Sequence, residues 1–256
     1  LRKTLSGQEK RIVNLAEALV LAATAELTKR LADGGPVYTE TNTQQPIVEP
    51  WNAASALLFL LLVGWWTVRL WGRYRRFPFL TCCLPLLAAG GVGGTFYHAF
   101  RVSAVFFWLD ILPIYLLGAA ASLYFCFRLR MARWRIALVI LVTLVLQATL
   151  VPVLSRVSPE NPHLAINGSY VLLAALLLLP LALLLRKTAF RHWGWIALGL
   201  ALFFVALFFR AVDTRAPPLL PMGTHWLWHV FGAGTVTALT EYVYQLATDA
   251  PSASAD

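Results

Sequence analysis

The sequence predicts an all-α fold: an integral membrane bundle of seven transmembrane helices with an N-terminal amphipathic helix. Three observations lead there. Of 256 residues, 59% are hydrophobic and only 13% are charged, and the mean hydropathy is +0.68, more apolar surface than a soluble chain of this length can hide. Apolar stretches of roughly 20 residues recur along the chain, each long enough to cross about 30 Å of hydrocarbon. The remaining charge is lopsided, 21 Lys plus Arg against 12 Asp plus Glu, and most of it collects in the joints between the stretches. The same composition excludes a soluble globule and a disordered chain.

In residues 1–32, Ile12, Leu15, Ala16, Leu19, Ala22 and Ala23 recur at helical spacing, and Glu17, Glu26, Lys29 and Arg30 interrupt the run. That pattern predicts a helix lying on the membrane surface. Its apolar core is too short, and carries too much glutamate, for a secretory signal; the lack of an initiator Met predicts a trimmed or alternatively started chain. Residues 33–51 form a polar, turn-rich outer segment. The seven-helix domain, 52–247, follows, with spans at 52–72, 79–99, 104–127, 136–155, 168–186, 193–211 and 224–246. The joints GRYRRFP, RLRMARWR, SRVSPENPH, RKTAFRH and DTRAPPLLPMGT supply the helix ends, and residues 248–256 read as a disordered tail. Trp51, Trp71, Trp134, Trp193, Trp195 and Trp226 lie at or near span ends, where an indole prefers the headgroup layer.

The cations fix the expected orientation. Arg69, Arg73, Arg75 and Arg76 follow the first span, Arg128, Arg130, Arg133 and Arg135 the third, and Arg186, Lys187 and Arg191 the fifth, whereas the alternate joints carry only Arg101, Arg156, Arg210 and Arg215. The positive-inside rule then puts the amino terminus outside and the carboxyl terminus in the cytoplasm. Arginines spread over three loops make no nucleic-acid patch, and no obligate protein partner is evident. The Arg-rich, Lys-poor, Ala- and Leu-heavy usage points to a GC-rich genome and thus to a bacterial inner membrane. Cys82, Cys83 and Cys126 fall within spans and read as small membrane residues, not as a disulfide. The glycines of GGVGG at 90–94 lack the context of a phosphate loop.

Ionisable residues inside spans are costly and mark function. His98 ends the second span, Asp110 lies in the first turns of the third, Asp213 closes the sixth, and His225 and His229 open the seventh, all at one membrane level. His225 and His229 stand one helical turn apart on one face, a spacing that lets two imidazoles share a metal. With His98 as third ligand and no thiolate nearby, the set suits catalytic zinc with an open position; the bland alternative is three locally hydrogen-bonded histidines. Haem fits poorly, because His225 and His229 would crowd one face. Asp110 reads as general base toward an attacking water, or as a carboxylate that orients a histidine. Asp213 with Arg210 reads as an ion pair at the span end, and His163 and His192 as solvated loop residues. In the outer segment Glu40, Asn42 and Glu49 can wrap a hard cation such as calcium.

The ordered set Y-T-E…E-P-x-N, G-T-F-Y-H, W-L-D-I-L-P, N-G-S and F-R-x-x-D…P-M-G-T-H-W-L-W-H resembles the alkaline ceramidase family, within a superfamily of seven-span hydrolases that includes the adiponectin-type receptors. The resemblance covers about residues 37–247. It implies a zinc-dependent amidase that cleaves ceramide, a membrane lipid substrate, to sphingoid base and fatty acid, with zinc on His98, His225 and His229 and calcium on Glu40, Asn42 and Glu49. The chain departs from the family pattern at Gly94, where a serine precedes the first histidine by four residues; Thr95 is the nearest hydroxyl, expected to help polarise the carbonyl. It departs again at Val37, where the family has an aspartate, and in the short spacing from Asn42 to Glu49. A zinc hydrolase of another N-acyl or ester lipid, and a lipid-sensing receptor with little catalysis, are the alternative readings.

Overall fold

A computed structural model describes residues 31, 33–157, 162–215 and 220–249. The predicted amphipathic helix at 1–32 falls almost wholly outside them, as do residues 250–256 of the tail and the side chain of His163. The described residues are helical: α1 (Pro50–Arg69), α2 (Pro78–Phe100), α3 (Ala104–Arg128), α4 (Arg133–Val157), α5 (Pro162–Lys187), α6 (Trp193–Val212) and α7 (His225–Thr248), with single 3-10 turns at Tyr74–Arg76 and Asp213–Arg215.

Local chemistry sets the boundaries. Pro50 and Pro78 stand in the first turns of α1 and α2, where a missing N–H costs nothing. The Ser103 hydroxyl accepts the Val105 N–H at 3.2 Å and starts α3. Arg101 ends α2 in the left-handed conformation, φ 55°. Of the boundaries that differ from the hydropathy reading, two bring new contacts. The start of α5 lies well before 168, because Asn167 and Ser169 find partners inside the bundle and need not sit in a loop: Asn167 accepts from Arg210 Nε at 2.9 Å, and Ser169 pairs with the Tyr115 hydroxyl. The last helix runs through Thr248, and Asp249, expected in the tail, accepts from His192 Nε2 at 2.8 Å.

Six helices, α1 to α6, are long and apolar enough to cross a membrane, and the chain is an integral membrane protein. The seventh expected span, α7, has the length; its apolar character is diluted by His225, His229, Glu241 and its threonines. Those polar groups face protein: His225, His229 and Glu241 are buried, and Glu241 pairs with Arg69 of α1.

Packing closes a ring in the order α1, α2, α3, α5, α6, α7 and back to α1, while α4 packs on the outer side of α5. The GGVGG glycines are where neighbours press onto α2: a Cβ on Gly91 would meet the Leu60 side chain at 2.8 Å, and one on Gly93 would meet the backbone of Leu109. Close backbone approach of this kind drives helix association in lipid, where no hydrophobic effect separates helix from solvent. A dry core of Trp66, Leu70, Phe77, Phe125, Leu184 and Tyr242 fills one end of the ring. The opposite end, where α2 finishes and α1, α3 and α7 begin, carries the histidines and is covered by residues 33–49. The ends bearing Arg69, Arg128 and Arg186 lie on the face away from the histidines.

Candidate metal centre

His98, His225 and His229 come together as expected. All three are buried, and each offers a ring nitrogen within 4.8 Å of the others; the ring centroids are 4.9–5.3 Å apart. Among the described residues this is the one group of three His, Cys, Asp or Glu side chains with metal-ligand spacing, and it can hold a metal ion.

Second contacts set which nitrogen faces the centre. Glu49 Oε2 lies 2.5 Å from His98 Nδ1, so Nδ1 carries the proton and donates it, leaving Nε2 with its lone pair; that Nε2 is buried without a hydrogen-bond partner. For His229, the Ser55 hydroxyl spends its own proton on the Asn52 carbonyl at 3.0 Å and is 2.8 Å from His229 Nδ1. Ser55 therefore accepts from Nδ1–H, and the His229 lone pair is again on Nε2. A metal-ligating histidine has this form, with one nitrogen donating to a carboxylate or hydroxyl and the other left for the ion. His225 is set by its helix end: Asp213 Oδ1 accepts the N–H groups of Thr224 at 2.7 Å and His225 at 2.8 Å. The Tyr38 ring stacks on His225 with centroids 3.9 Å apart. Burial pushes the Tyr38 phenol up to about 12, against the pull of Arg210, so it remains a neutral hydroxyl.

Asp110 and His229 line one cavity of about 230 Å³ inside the helix ring. Every ring helix contributes to its wall, including Phe59, Leu87, Tyr170, Phe203 and Trp228, and α4 does not. Apart from Asp110, His229 and a few aromatic or hydroxyl groups, the wall is aliphatic. Gly94 explains how Asp110 sits so close to α2: a Cβ at Gly94 would stand 2.5 Å from Asp110 Oδ1. Thr95, expected to donate toward the substrate carbonyl, instead donates to the Gly91 carbonyl of its own helix at 2.7 Å and is absent from the cavity wall.

The outer carboxylates are engaged within the protein. Glu49 is spent on His98, Thr41 and Arg101. Burial pushes its carboxyl up, but the hydrogen bond from His98, the charge of Arg101 and the hydrogen bond from Thr41 outweigh that and hold it below the usual range. Glu40 accepts the Trp51 and Asn52 N–H groups, at 2.5 and 2.9 Å, capping the start of α1; burial nevertheless raises its carboxyl above the usual range. Asn42 is exposed and accepts from Gln44 N–H at 3.1 Å. The contacts of these three side chains are with the protein's own donors: backbone N–H groups, His98, Thr41 and Arg101. The expected Arg210–Asp213 pair is not formed. Asp213 caps α7 and accepts Thr39 N–H at 2.9 Å, while Arg210 lies over the rings of Tyr170 and Trp228, 5.4 and 5.3 Å from their centroids.

Ser55, Tyr38, Arg101 and the roles of Glu49 and Asp213 escape sequence reasoning. Only Ser55 had a local signal: it follows Asn52 at i+3, so two polar groups share one face at the head of an apolar span. Compared with known proteins, the chain matches no family model and no curated protein.

Proposed function

We propose that this protein is a zinc-dependent intramembrane amidase that hydrolyses ceramide, an N-acyl sphingoid lipid, to sphingoid base and free fatty acid. The observation that carries the reading is a group of three buried imidazoles with ring nitrogens close together, one of which, His229, shares the wall of an apolar chamber within the helix ring with Asp110. His98, His225 and His229 would hold the metal, and their all-nitrogen set with no thiolate fits zinc. Zinc bound there supplies Lewis acidity and makes water acidic enough to attack at neutral pH.

The chain's own groups do the rest. Asp110 takes a proton from the attacking water as its oxygen bonds to the amide carbonyl carbon. It then returns a proton to the nitrogen as the C–N bond breaks, releasing amine and fatty acid. Glu49 and Ser55 keep two imidazoles in the tautomer and orientation that ligation needs. The aliphatic wall hosts acyl chains and excludes bulk water. In the membrane, α7 is read as the seventh span, with the histidine end and residues 33–49 outside and the arginine-bearing ends in the cytoplasm of a bacterial inner membrane.

Thr95 favours a second reading. Its hydroxyl returns to Gly91 and does not line the cavity, an arrangement that fits a lipid-sensing receptor with little catalysis. One experiment separates the two: purified protein, assayed for zinc and for fatty acid release from labelled ceramide, beside Asp110→Ala and His229→Ala. The amidase reading expects release that both substitutions abolish, with zinc retained in Asp110→Ala. Full zinc occupancy without release from ceramide or any other N-acyl lipid would overturn it and leave the receptor.

A further inference from the structure

Arg101 stands three residues beyond His98, and its side chain is buried, 4% exposed. Each of its three nitrogens meets oxygen. Nε meets Asp33 Oδ2 at 2.7 Å, Nη2 meets Asp33 Oδ1 at 3.2 Å and the Pro36 carbonyl at 2.9 Å, and Nη1 meets Glu49 Oε1. The Tyr97 ring centroid lies 4.4 Å from the guanidinium carbon. Thr41 Oγ1 adds a further oxygen on Glu49. Two buried carboxylates, a backbone carbonyl and a hydroxyl are the donor types that wrap a hard divalent cation, yet here a guanidinium fills the nest. Two carboxylates so buried need a cation, since desolvation of unpaired charge costs several kcal/mol per ion. The other oxygen of Glu49 is the one that holds His98.

We propose that Arg101 is a built-in structural cation: it takes the place of a bound metal ion among the outer oxygens and holds Glu49 where that carboxylate orients His98. Arg101 is thus a positioning residue for the histidine centre, and the centre forms without a second ion. The proposal rests on the metal-centre reading for its effect on zinc, and on the oxygen nest alone for its effect on stability.

Both effects are measured on the full chain in detergent micelles containing a calcium chelator. Zinc affinity is read by competition with a chromophoric chelator, and the midpoint of thermal unfolding is read on zinc-free protein. The test variant is Arg101→Gly, because φ 55° at this position suits glycine and the backbone is left unstrained. The wild type is expected to be indifferent to millimolar calcium or guanidinium in both measurements. Arg101→Gly is expected to bind zinc about 10- to 100-fold more weakly, the usual effect of losing a group behind a ligand, and to unfold at lower temperature. Millimolar guanidinium or calcium restores both, since either refills the nest; a merely structural loss responds to neither.

Unchanged zinc affinity in Arg101→Gly, or a loss that neither cation restores, overturns the proposal. Should the wild type bind no zinc, the metal-centre reading fails, and the cation rescue of unfolding still decides the role of Arg101. Should Arg101→Gly not fold, Glu49→Gln answers: it is expected to weaken zinc equally with no rescue by either cation, and unchanged zinc affinity there overturns the proposal.

Discussion

At the residue scale, the centre depends as much on groups behind the imidazoles as on the imidazoles. Ser55 is the simplest case. Its hydroxyl accepts from His229 Nδ1 and donates to the Asn52 carbonyl, so Ser55→Ala removes the acceptor that fixes the His229 tautomer. Zinc affinity in that variant is expected to fall about 10- to 100-fold in a competition titration, while Ser55→Thr, which keeps the hydroxyl, stays near wild type. Gly94 acts on the other partner of the reaction. A methyl group at Gly94 would stand 2.5 Å from Asp110 Oδ1, closer than carbon and oxygen tolerate, so Gly94→Ala must displace the carboxylate. Fatty acid release is expected to fall toward the roughly 10²- to 10⁴-fold that a positioned proton acceptor contributes. Zinc binding should be unchanged, because a Cβ at Gly94 meets Asp110 and Ala56 and no histidine; loss of zinc in this variant would place Asp110 in the histidine scaffold and not in the reaction. The sequence shows only a glycine at this position; the approach of α3 shows what the missing side chain makes room for.

At the element scale, the ends of helices do the positioning. The start of α7 has no capping side chain of its own; Asp213, twelve residues before His225, supplies the acceptor and also holds Thr39 of the outer segment. Asp213→Ala leaves the Thr224 and His225 N–H groups without their acceptor, a loss of about 0.5–2 kcal/mol for a cap. It should lower the thermal midpoint and weaken zinc together, and Asp213→Asn, which keeps one carbonyl oxygen, should recover part of both. A lowered midpoint with normal zinc affinity would confine Asp213 to folding. Most helices were legible in the sequence, because twenty apolar residues between basic or proline-rich joints have few other solutions in a bilayer. The histidine trio was legible too, since polarity inside a span is conspicuous. What stayed hidden depends on contacts between distant segments. Glu49 reaches His98 across 49 positions, and nothing local separates a carboxylate that orients a histidine from one that binds calcium. Likewise α4 is the most apolar span, with mean hydropathy 2.6, yet it lies outside the ring, because hydropathy measures preference for lipid and not proximity to the site.

At the scale of the molecule, the ring and its two faces give the last predictions. The ends bearing Arg69, Arg128 and Arg186 lie away from the histidines, so on the proposed orientation a cysteine at exposed Thr43 should react with an impermeant reagent on intact cells, in a chain whose Cys82, Cys83 and Cys126 are alanine. One at Arg130 should react only after permeabilisation; the reverse pattern would put the centre on the cytoplasmic side. The chamber then ties the fold to selectivity. Its wall runs from Asp110 and His229 to Leu181, Trp195 and Leu239, near the opposite ends of their helices, and a second apolar cavity of about 90 Å³ shares Leu87, Leu117, Val236 and Leu239 with it. Ala174 on α5 lines the main cavity and is distant in sequence from every proposed ligand. Ala174→Phe places a ring in that chamber. Since each methylene in an apolar pocket is worth about 1–3 kcal/mol of discrimination, the variant is expected to lose roughly tenfold or more in kcat/KM for long-chain ceramides relative to short-chain ones, at unchanged zinc affinity. Equal losses for every chain length would show that the acyl group lies elsewhere, along the lipid-facing surface of the bundle, and that the interior chamber serves the sphingoid tail or the packing of the ring.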